Sequence, residues 1–112
     1  MTPLEFAEKY GLKVVSEGSG SCREIEGAYC GDLLSMVMGR ARENDAFVTV
    51  MANINTIAVA VLADVACIIL CEGIHFDEAC IARAKQQEVC VLESDQPAFT
   101  LALQLGKELG RC

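Results

Sequence analysis

The chain has 112 residues, which is enough for one compact domain and too few for two. Hydrophobic residues make up 53% of it and charged residues 22%, which excludes a disordered chain, and the 5% of aromatic residues leave an aliphatic core. A net charge of −7 argues against nucleic acid and against an anionic membrane surface as partners. We therefore expect residues 1–112 to form a single domain that binds neither.

Helices and strands are predicted to alternate along the chain. In chain order they are a helix from Thr2 to Gly11, strands over residues 12–15 and 25–29, a helix opening at Gly31, a strand over 46–51, a helix over 57–63, a strand over 65–70, a helix opening at Asp77, a strand over 89–92 and a helix opening at Ser94. This alternation favours parallel strands joined by right-handed crossovers. The expected fold class is α/β: a single three-layer domain with a mainly parallel central sheet flanked by helices.

Two of these helices have clear sequence signals. Thr2 and Glu5 form a capping box around the first helix, and Pro3 suits its first position. The helix that opens at Gly31 and Asp32 has helical spacing on one apolar face, which we predict to be buried. The residues of that face are Leu34, Val37, Met38 and Ala41.

The helix over residues 57–63 has no polar face, because it reads Ile-Ala-Val-Ala-Val-Leu-Ala. The sheet can cover one side of it only. Either the first or last helix of the same chain covers the other side, or a second subunit does, and in so small a domain we favour the second subunit. The sequence thus predicts a homo-oligomer, a dimer or larger.

A candidate ligand site follows from the topology, since ligands of open parallel sheets bind beyond the carboxyl ends of the strands. Short polar residues and glycines from four segments are expected to meet at this edge. They are Gly31, Asp32, Asn53, Asn55, Thr56, Glu72, Gly73, Ser94 and Asp95. Several of them are also typical helix N-caps, which is the simpler explanation for each residue taken alone. Their convergence predicts a shallow polar pocket.

Catalytic, metal and cofactor motifs are not found in the sequence. His75 is the only histidine, and no flanking motif recommends a nucleophile to pair with it. Cys67 and Cys71 share one strand face but lie too far apart along it to hold one zinc ion. Phosphate-binding and dinucleotide-binding glycine motifs are missing. We expect no catalytic residue, no metal and no cofactor.

Seven cysteines, odd in number and irregular in spacing, follow a start that lacks the features of a signal peptide. Buried free thiols in a reducing cytoplasm explain them better than disulfides do. Cys30 stands before a predicted helix N-terminus, where the pKa of a thiol can be lowered. A redox role for Cys30 is the more specific but less favoured interpretation. The favoured one is that Cys30 packs as a small apolar residue at the end of a strand.

Residues 22–35 read Cys-Arg-Glu-Ile-Glu-Gly-Ala-Tyr-Cys-Gly-Asp-Leu-Leu-Ser, in which Arg-x-x-x-Gly leads into Gly-Asp-Leu-Leu-Ser before a helix. This stretch resembles the DRTGG domain family. The apolar helix, the strand over 68–70 followed by Glu72 and Gly73, and the helix start at Ser94 are similar to the layout of that family. The resemblance covers nearly the whole chain, and residues 31–35 are its most specific part.

The resemblance implies a regulatory domain that forms dimers or larger oligomers, as found beside CBS pairs, within phosphotransacetylases and at the N-terminus of HPr kinase/phosphorylase. We therefore expect a non-catalytic regulatory or sensing module that binds a small polar ligand or a partner protein at the strand-end edge. Two alternatives stay open. One is a protein-interaction subunit of a redox or phosphotransfer complex, and the other is an enzyme acting through Cys30 or Asp32.

Overall fold

The computed structural model describes the backbone of residues 1–112 and the surroundings of every residue except Gly20. The elements in chain order are α1 (Pro3–Tyr10), β1 (Lys13–Ser16), a 3₁₀ turn (Gly20–Cys22), β2 (Gly27–Cys30), α2 (Leu34–Arg40), β3 (Asp45–Thr49), α3 (Ile54–Ala63), β4 (Cys67–Leu70), α4 (Glu78–Gln86), β5 (Val91–Glu93) and α5 (Ala98–Glu108). Each predicted helix and strand is present, with ends that move by a few residues.

The five strands form one sheet in the order β1-β5-β4-β3-β2. Strands β2 to β5 are parallel, and only β1 runs antiparallel, against β5. Because each crossover moves one strand further in the same direction, right-handed connections place α2, α3 and α4 on one face. Helices α1 and α5 pack on the other face, so the predicted three-layer α/β fold with a mainly parallel sheet is confirmed.

Burial explains why the sequence of the central strands is almost continuously apolar. Every residue of β3, β4 and β5 is buried, because a helical layer covers each face of the sheet. Phe47, Ile68 and Val91 point into the core under α2 to α4, and Val48 and Leu92 point into the core under α1 and α5. The sheet therefore separates two aliphatic cores.

Helix α1 follows the sequence signals closely. The Thr2 side chain accepts a hydrogen bond from the Glu5 N–H at 3.3 Å, and Glu5 returns one by accepting from the Thr2 N–H at 2.9 Å. The helix ends at Gly11, whose φ of 74° lies in the left-handed region that suits glycine.

Helix α2 corrects two expectations. It begins at Leu34 rather than at Gly31, and Val37 is its only buried residue, while Met38 is 52% exposed. Leu34 and Ala41 of the predicted apolar face are partly buried against the same core, so the prediction of a buried face fails only at Met38. Leu33 is at the N-cap position and makes no side-chain capping bond.

For helix α3, the structure excludes the less favoured of the two predicted covers. We considered the first or last helix of the chain as the cover for its outer side, but α1 and α5 lie beyond the sheet, in the other layer. Residues of α2 and α4 flank α3 instead. The outer side of α3 stays exposed. Val61 is 43% and Leu62 71% accessible.

Candidate functional site

The carboxyl ends of the four parallel strands lie level with one another. Cys30 pairs with Val48, Thr49 with Leu70, and Leu70 with Glu93, so the segments that follow these strands meet at one edge of the sheet. This edge, called here the carboxyl edge, carries all nine residues of the predicted ligand site. The chain advances across the parallel strands in one direction, so no switch point opens a deep crevice between them.

Asp32 connects the end of β2 to the end of β3 by hydrogen bonds at the carboxyl edge. Its Oδ1 accepts hydrogen bonds from Thr49 Oγ1 at 2.9 Å and from the Val50 N–H at 3.0 Å. The interpretation of Asp32 as a helix N-cap is wrong, because α2 begins two residues further on and this carboxylate oxygen is turned towards β3. Gly31 beside it donates its N–H to the Val48 carbonyl at 3.1 Å, which continues the sheet.

The start of α3 supplies the next three residues of the site. Asn53 is the N-cap, since its Oδ1 accepts from the Asn55 N–H at 2.8 Å. Thr56 is fully buried, and its Oγ1 donates to the Met51 carbonyl at 2.6 Å. Asn55 is exposed, and among the residues that the structure describes its side-chain amide has no hydrogen-bond partner. Asn55 is therefore the group of this helix start that a ligand can reach.

The loops after β4 and β5 hold each other by backbone contacts. The Glu72 N–H donates to the Gln96 carbonyl and the Gly73 N–H to the Ser94 carbonyl. Glu72 also accepts the Ala98 N–H of α5 at 3.2 Å through its side chain. Asp95 makes no side-chain hydrogen bond within the described part of the chain, so it is left available.

Ser94 does not cap α5 as expected. Its hydroxyl accepts from the Gln96 N–H at 3.0 Å and so closes a local turn, while Pro97 stands at the N-cap position without a side-chain bond. The residues of the carboxyl edge thus divide into two groups. The side chains of Asp32, Asn53, Thr56, Glu72 and Ser94 bond to the protein itself, whereas those of Asn55 and Asp95 are open to a ligand.

A buried carboxylate at the same edge was missed by sequence reasoning. Only 4% of the Glu93 side chain is exposed, and one of its oxygens lies 2.7 Å from His75 Nδ1 while the other accepts the Phe76 N–H at 3.2 Å. The signal was available, because Glu93 directly follows the apolar residues of a central strand. Its two contacts fix the loop before α4, and His75 is its exposed partner.

The expectation that the pKa of Cys30 is lowered is wrong. Burial, and then the negative charge of Asp32, raise the pKa of this thiol above its ordinary value of 9.0. The start of α2 lies four residues away, too far for its dipole to act on Cys30. Burial raises the pKa of Cys90 to about 12 and that of Cys67 well above 9.0, so these two thiols are apolar core groups.

All seven cysteines are free thiols. Across the described residues, no group of three or more histidine, cysteine or acidic side chains is placed to hold a metal ion. No described helix is long and apolar enough to cross a membrane.

An apolar surface adjoins the carboxyl edge along α3. We call it the α3 face and define it by the exposed residues Ile54, Ala58, Val61 and Leu62. It forms one wall of a groove of about 490 Å³, whose opposite wall holds Arg83 and Gln87 of the α4 segment. Asn55 of the predicted ligand site lines the same groove.

The model of the DRTGG domain family matches residues 5–107, and the chain belongs to that family. Among solved structures, it is similar to the CBS and DRTGG domains of the regulatory region of Clostridium perfringens pyrophosphatase, which was crystallised with the activator diadenosine tetraphosphate. That match has a TM-score of 0.66 at 14% identity and covers 89% of this chain and 43% of the other. The chain thus spans less than half the length of that neighbour and shares its fold. No curated protein matches the sequence.

Proposed function

We propose that this protein is a non-catalytic regulatory module that senses a small polar ligand at the carboxyl edge and self-associates through the α3 face. Membership of the DRTGG family supports a regulatory role, and the neighbour of similar fold is itself part of a regulatory region. We infer further that residues 1–112 form one domain, because one sheet is shared by both cores, and that the free thiols belong in a reducing cytoplasm.

One observation carries this proposal: α3 takes part in both surfaces. Its first turn supplies Asn53 and Asn55 to the carboxyl edge, and its outer side is the α3 face. A ligand that contacts Asn55 at the groove mouth touches the same helix that would pack against a second copy. Binding and self-association can then influence each other by reciprocal linkage.

A second copy of the chain is the occupant that the charges favour for the α3 face. The protein carries −7, so two copies repel each other over most orientations. Helix α3 contains no ionisable side chain, and α2 beside it contains only Arg40. A two-fold contact sets a surface against itself, so a neutral apolar surface is the one that identical acidic copies can bury without opposing like charges.

The ligand chemistry follows from the acidic side chains of the edge. Asp32, Glu72 and Asp95 all lie there, and Asp95 has no internal partner in the described chain. Carboxylate and amide oxygens accept hydrogen bonds, so the edge favours a ligand that presents hydroxyl or amino donors.

Sedimentation velocity tests the self-association, with two matched variants of exposed apolar residues. Leu62→Asp places a charge on the α3 face and is expected to give a monomer at concentrations where the unchanged protein is a dimer or larger. Phe99→Asp on α5, where the side chain is 78% exposed in the opposite layer, is expected to leave the assembly unchanged. A monomeric unchanged protein, or dissociation by Phe99→Asp alone, would contradict the proposal.

Thermal shift tests the ligand site. Polyols, amino acids and nucleosides at millimolar concentration are expected to include a compound that raises the melting temperature, because a ligand bound only to the folded state stabilises it. Asp95→Ala should remove that shift. The absence of any stabilising compound would count against the sensing role.

A second candidate, a protein-interaction subunit, is favoured by a different surface. Phe99 and Leu103 are one helical turn apart on α5 and are 78% and 44% exposed. Loss of a co-purifying partner in Phe99→Asp, with the self-association intact, would favour this function.

A further inference from the structure

A cleft of about 370 Å³ follows the open edge of β2, at the end of the sheet opposite to the carboxyl edge. Three arginines from separate parts of the chain line it: Arg40 at the end of α2, Arg42 in the loop that follows, and Arg111 beyond α5. These are three of the five arginines in the sequence. We call this feature the arginine cleft.

The three arginines of this cleft share it with three acidic residues, Glu26, Glu43 and Asp45, but are not paired with them. Within the described residues none of them forms an ion pair, and Arg111 makes one long hydrogen bond, from Nη2 to the Glu26 carbonyl at 3.4 Å. Arg23 shows the contrast, since it binds Asp64 at 3.0 Å and Asn44 at 2.8 Å. Guanidinium groups that converge without forming ion pairs keep their donors free for a bound anion.

Two of the three acidic side chains that line the cleft accept hydrogen bonds from the protein, while the third, Glu43, is exposed and has no partner within the described residues. Asp45 is buried, and its Oδ2 accepts the N–H of Arg42 at 2.8 Å. Glu26 accepts from Asn44 Nδ2 at 3.2 Å. Gly27 leaves room for the Asp45 carboxylate, because a Cβ there would come within 2.6 Å of Oδ1. Asp45 and Glu26 are thus oriented by hydrogen bonds within the protein, whereas the three guanidinium groups form no ion pair in the described chain.

The edge strand adds backbone donors. Gly31 donates its N–H to Val48 of β3, so alternate residues of β2 face the sheet and those between them face outwards. By this alternation the N–H of Ala28, which lines the cleft, points away from the sheet. An exposed amide beside three arginines is a further hydrogen-bond donor for an anion.

We propose that the arginine cleft binds a small anion with phosphate or carboxylate groups, held by Arg40, Arg42 and Arg111 and by the Ala28 amide. This is a second binding site, additional to the proposed function, at the opposite end of the sheet. The volume of the cleft lies within the range of small-molecule sites.

Titration of the isotopically labelled protein by NMR, with inorganic triphosphate and with citrate at constant ionic strength, tests the site. We expect shifts of the amides of Gly27, Ala28 and Arg42 for at least one of the two anions. Each of Arg42→Gln and Arg111→Gln should weaken binding by about tenfold, since one charge-assisted contact is lost. The two anions distinguish phosphate from carboxylate as the preferred group.

Arg83→Gln is the matched control, because it removes the same charge from a different surface. The proposal is overturned if neither anion binds at millimolar concentration, or if Arg83→Gln weakens binding as much as the cleft variants do. Melting curves show whether each variant is folded, and Arg40→Gln, at an exposed helix end, replaces any variant that is not. Shifts confined to Asn55 and Asp95 would place the anion at the carboxyl edge and also overturn this proposal, while leaving the proposed function intact.

Discussion

The carboxylates at one end of the parallel sheet and the arginines at the other differ in how they are bonded. At the carboxyl edge, Asp32 and Glu72 are bonded to backbone N–H groups, so these carboxylates tie neighbouring segments together. In the arginine cleft, Arg40 and Arg42 lie beside one another without an ion pair in the described chain. A charge bonded internally contributes to stability, whereas a charge left without a partner is available for binding.

The largest effect on stability is expected from Arg23, which belongs to the cleft end of the sheet but is fully engaged. Its guanidinium binds Asn44, Asp64 and the Val65 carbonyl, joining the turns before β3 and β4. Arg23→Ala is expected to lower the free energy of unfolding by about 2 kcal/mol, measured by urea denaturation. Arg40→Ala should change it by less than about 0.5 kcal/mol. Equal losses would break the distinction between engaged and free arginines.

A smaller loss is expected at the carboxyl edge. Asp32→Ala leaves Thr49 Oγ1 and the Val50 N–H without their acceptor and should cost about 1–2 kcal/mol. Asp95→Ala removes a carboxylate that has no bond in the described chain, and its cost should stay below about 0.5 kcal/mol. A larger cost at Asp95 would show that this residue is structural and not free for a ligand.

A smaller effect is expected on the rates at which different cysteine thiols are alkylated. Burial and Asp32 raise the pKa of Cys30, so its thiolate is scarce near neutral pH. Cys22, Cys30 and Cys112 are all exposed, so the raised pKa of Cys30 should make iodoacetamide label Cys22 and Cys112 first, as followed by mass spectrometry of peptides. Labelling of Cys30 should accelerate as the pH rises past 9.0, the ordinary thiol value. Preferential labelling of Cys30 at neutral pH would restore a redox role.

The smallest effect is expected at Asp77, the N-cap of α4. The Cys80 N–H, at 2.8 Å from its Oδ1, lowers the pKa of this carboxyl below its ordinary value of 3.8. A lowered pKa in the folded state stabilises the protein above the unfolded value, and this stabilisation is lost as the pH falls through the folded value. Melting temperatures on the acid side should fall slightly less steeply in Asp77→Asn, which keeps a capping group without the charge. Identical slopes would contradict this.

Local signals in the sequence determined most of the elements. The capping box at Thr2 and Glu5 places α1, and the apolar runs around Val48 and Ile69 place the central strands, because caps and periodicity depend only on neighbours along the chain. The mainly parallel direction of the strands was predicted as well, because alternating helices and strands favour right-handed crossovers, whereas the strand order and the antiparallel β1 were not. The polar residues of the carboxyl edge could be grouped by the same reasoning.

Which polar groups bond internally was decided by the tertiary structure alone. Asp32 looked like a cap and instead bonds to β3, because the register of β2 brings it beside Thr49. Arg23 and Arg42 are both followed by a glutamate in the sequence, which gives no reason to expect different contacts. Of these two, only Arg23 reaches a carboxylate and backbone carbonyls from other turns. Contacts between residues far apart in the chain depend on how strands and helices are stacked. For that reason, composition and spacing predicted the fold of this protein, while its arginine cleft and exposed α3 face became visible only once the layers were assembled.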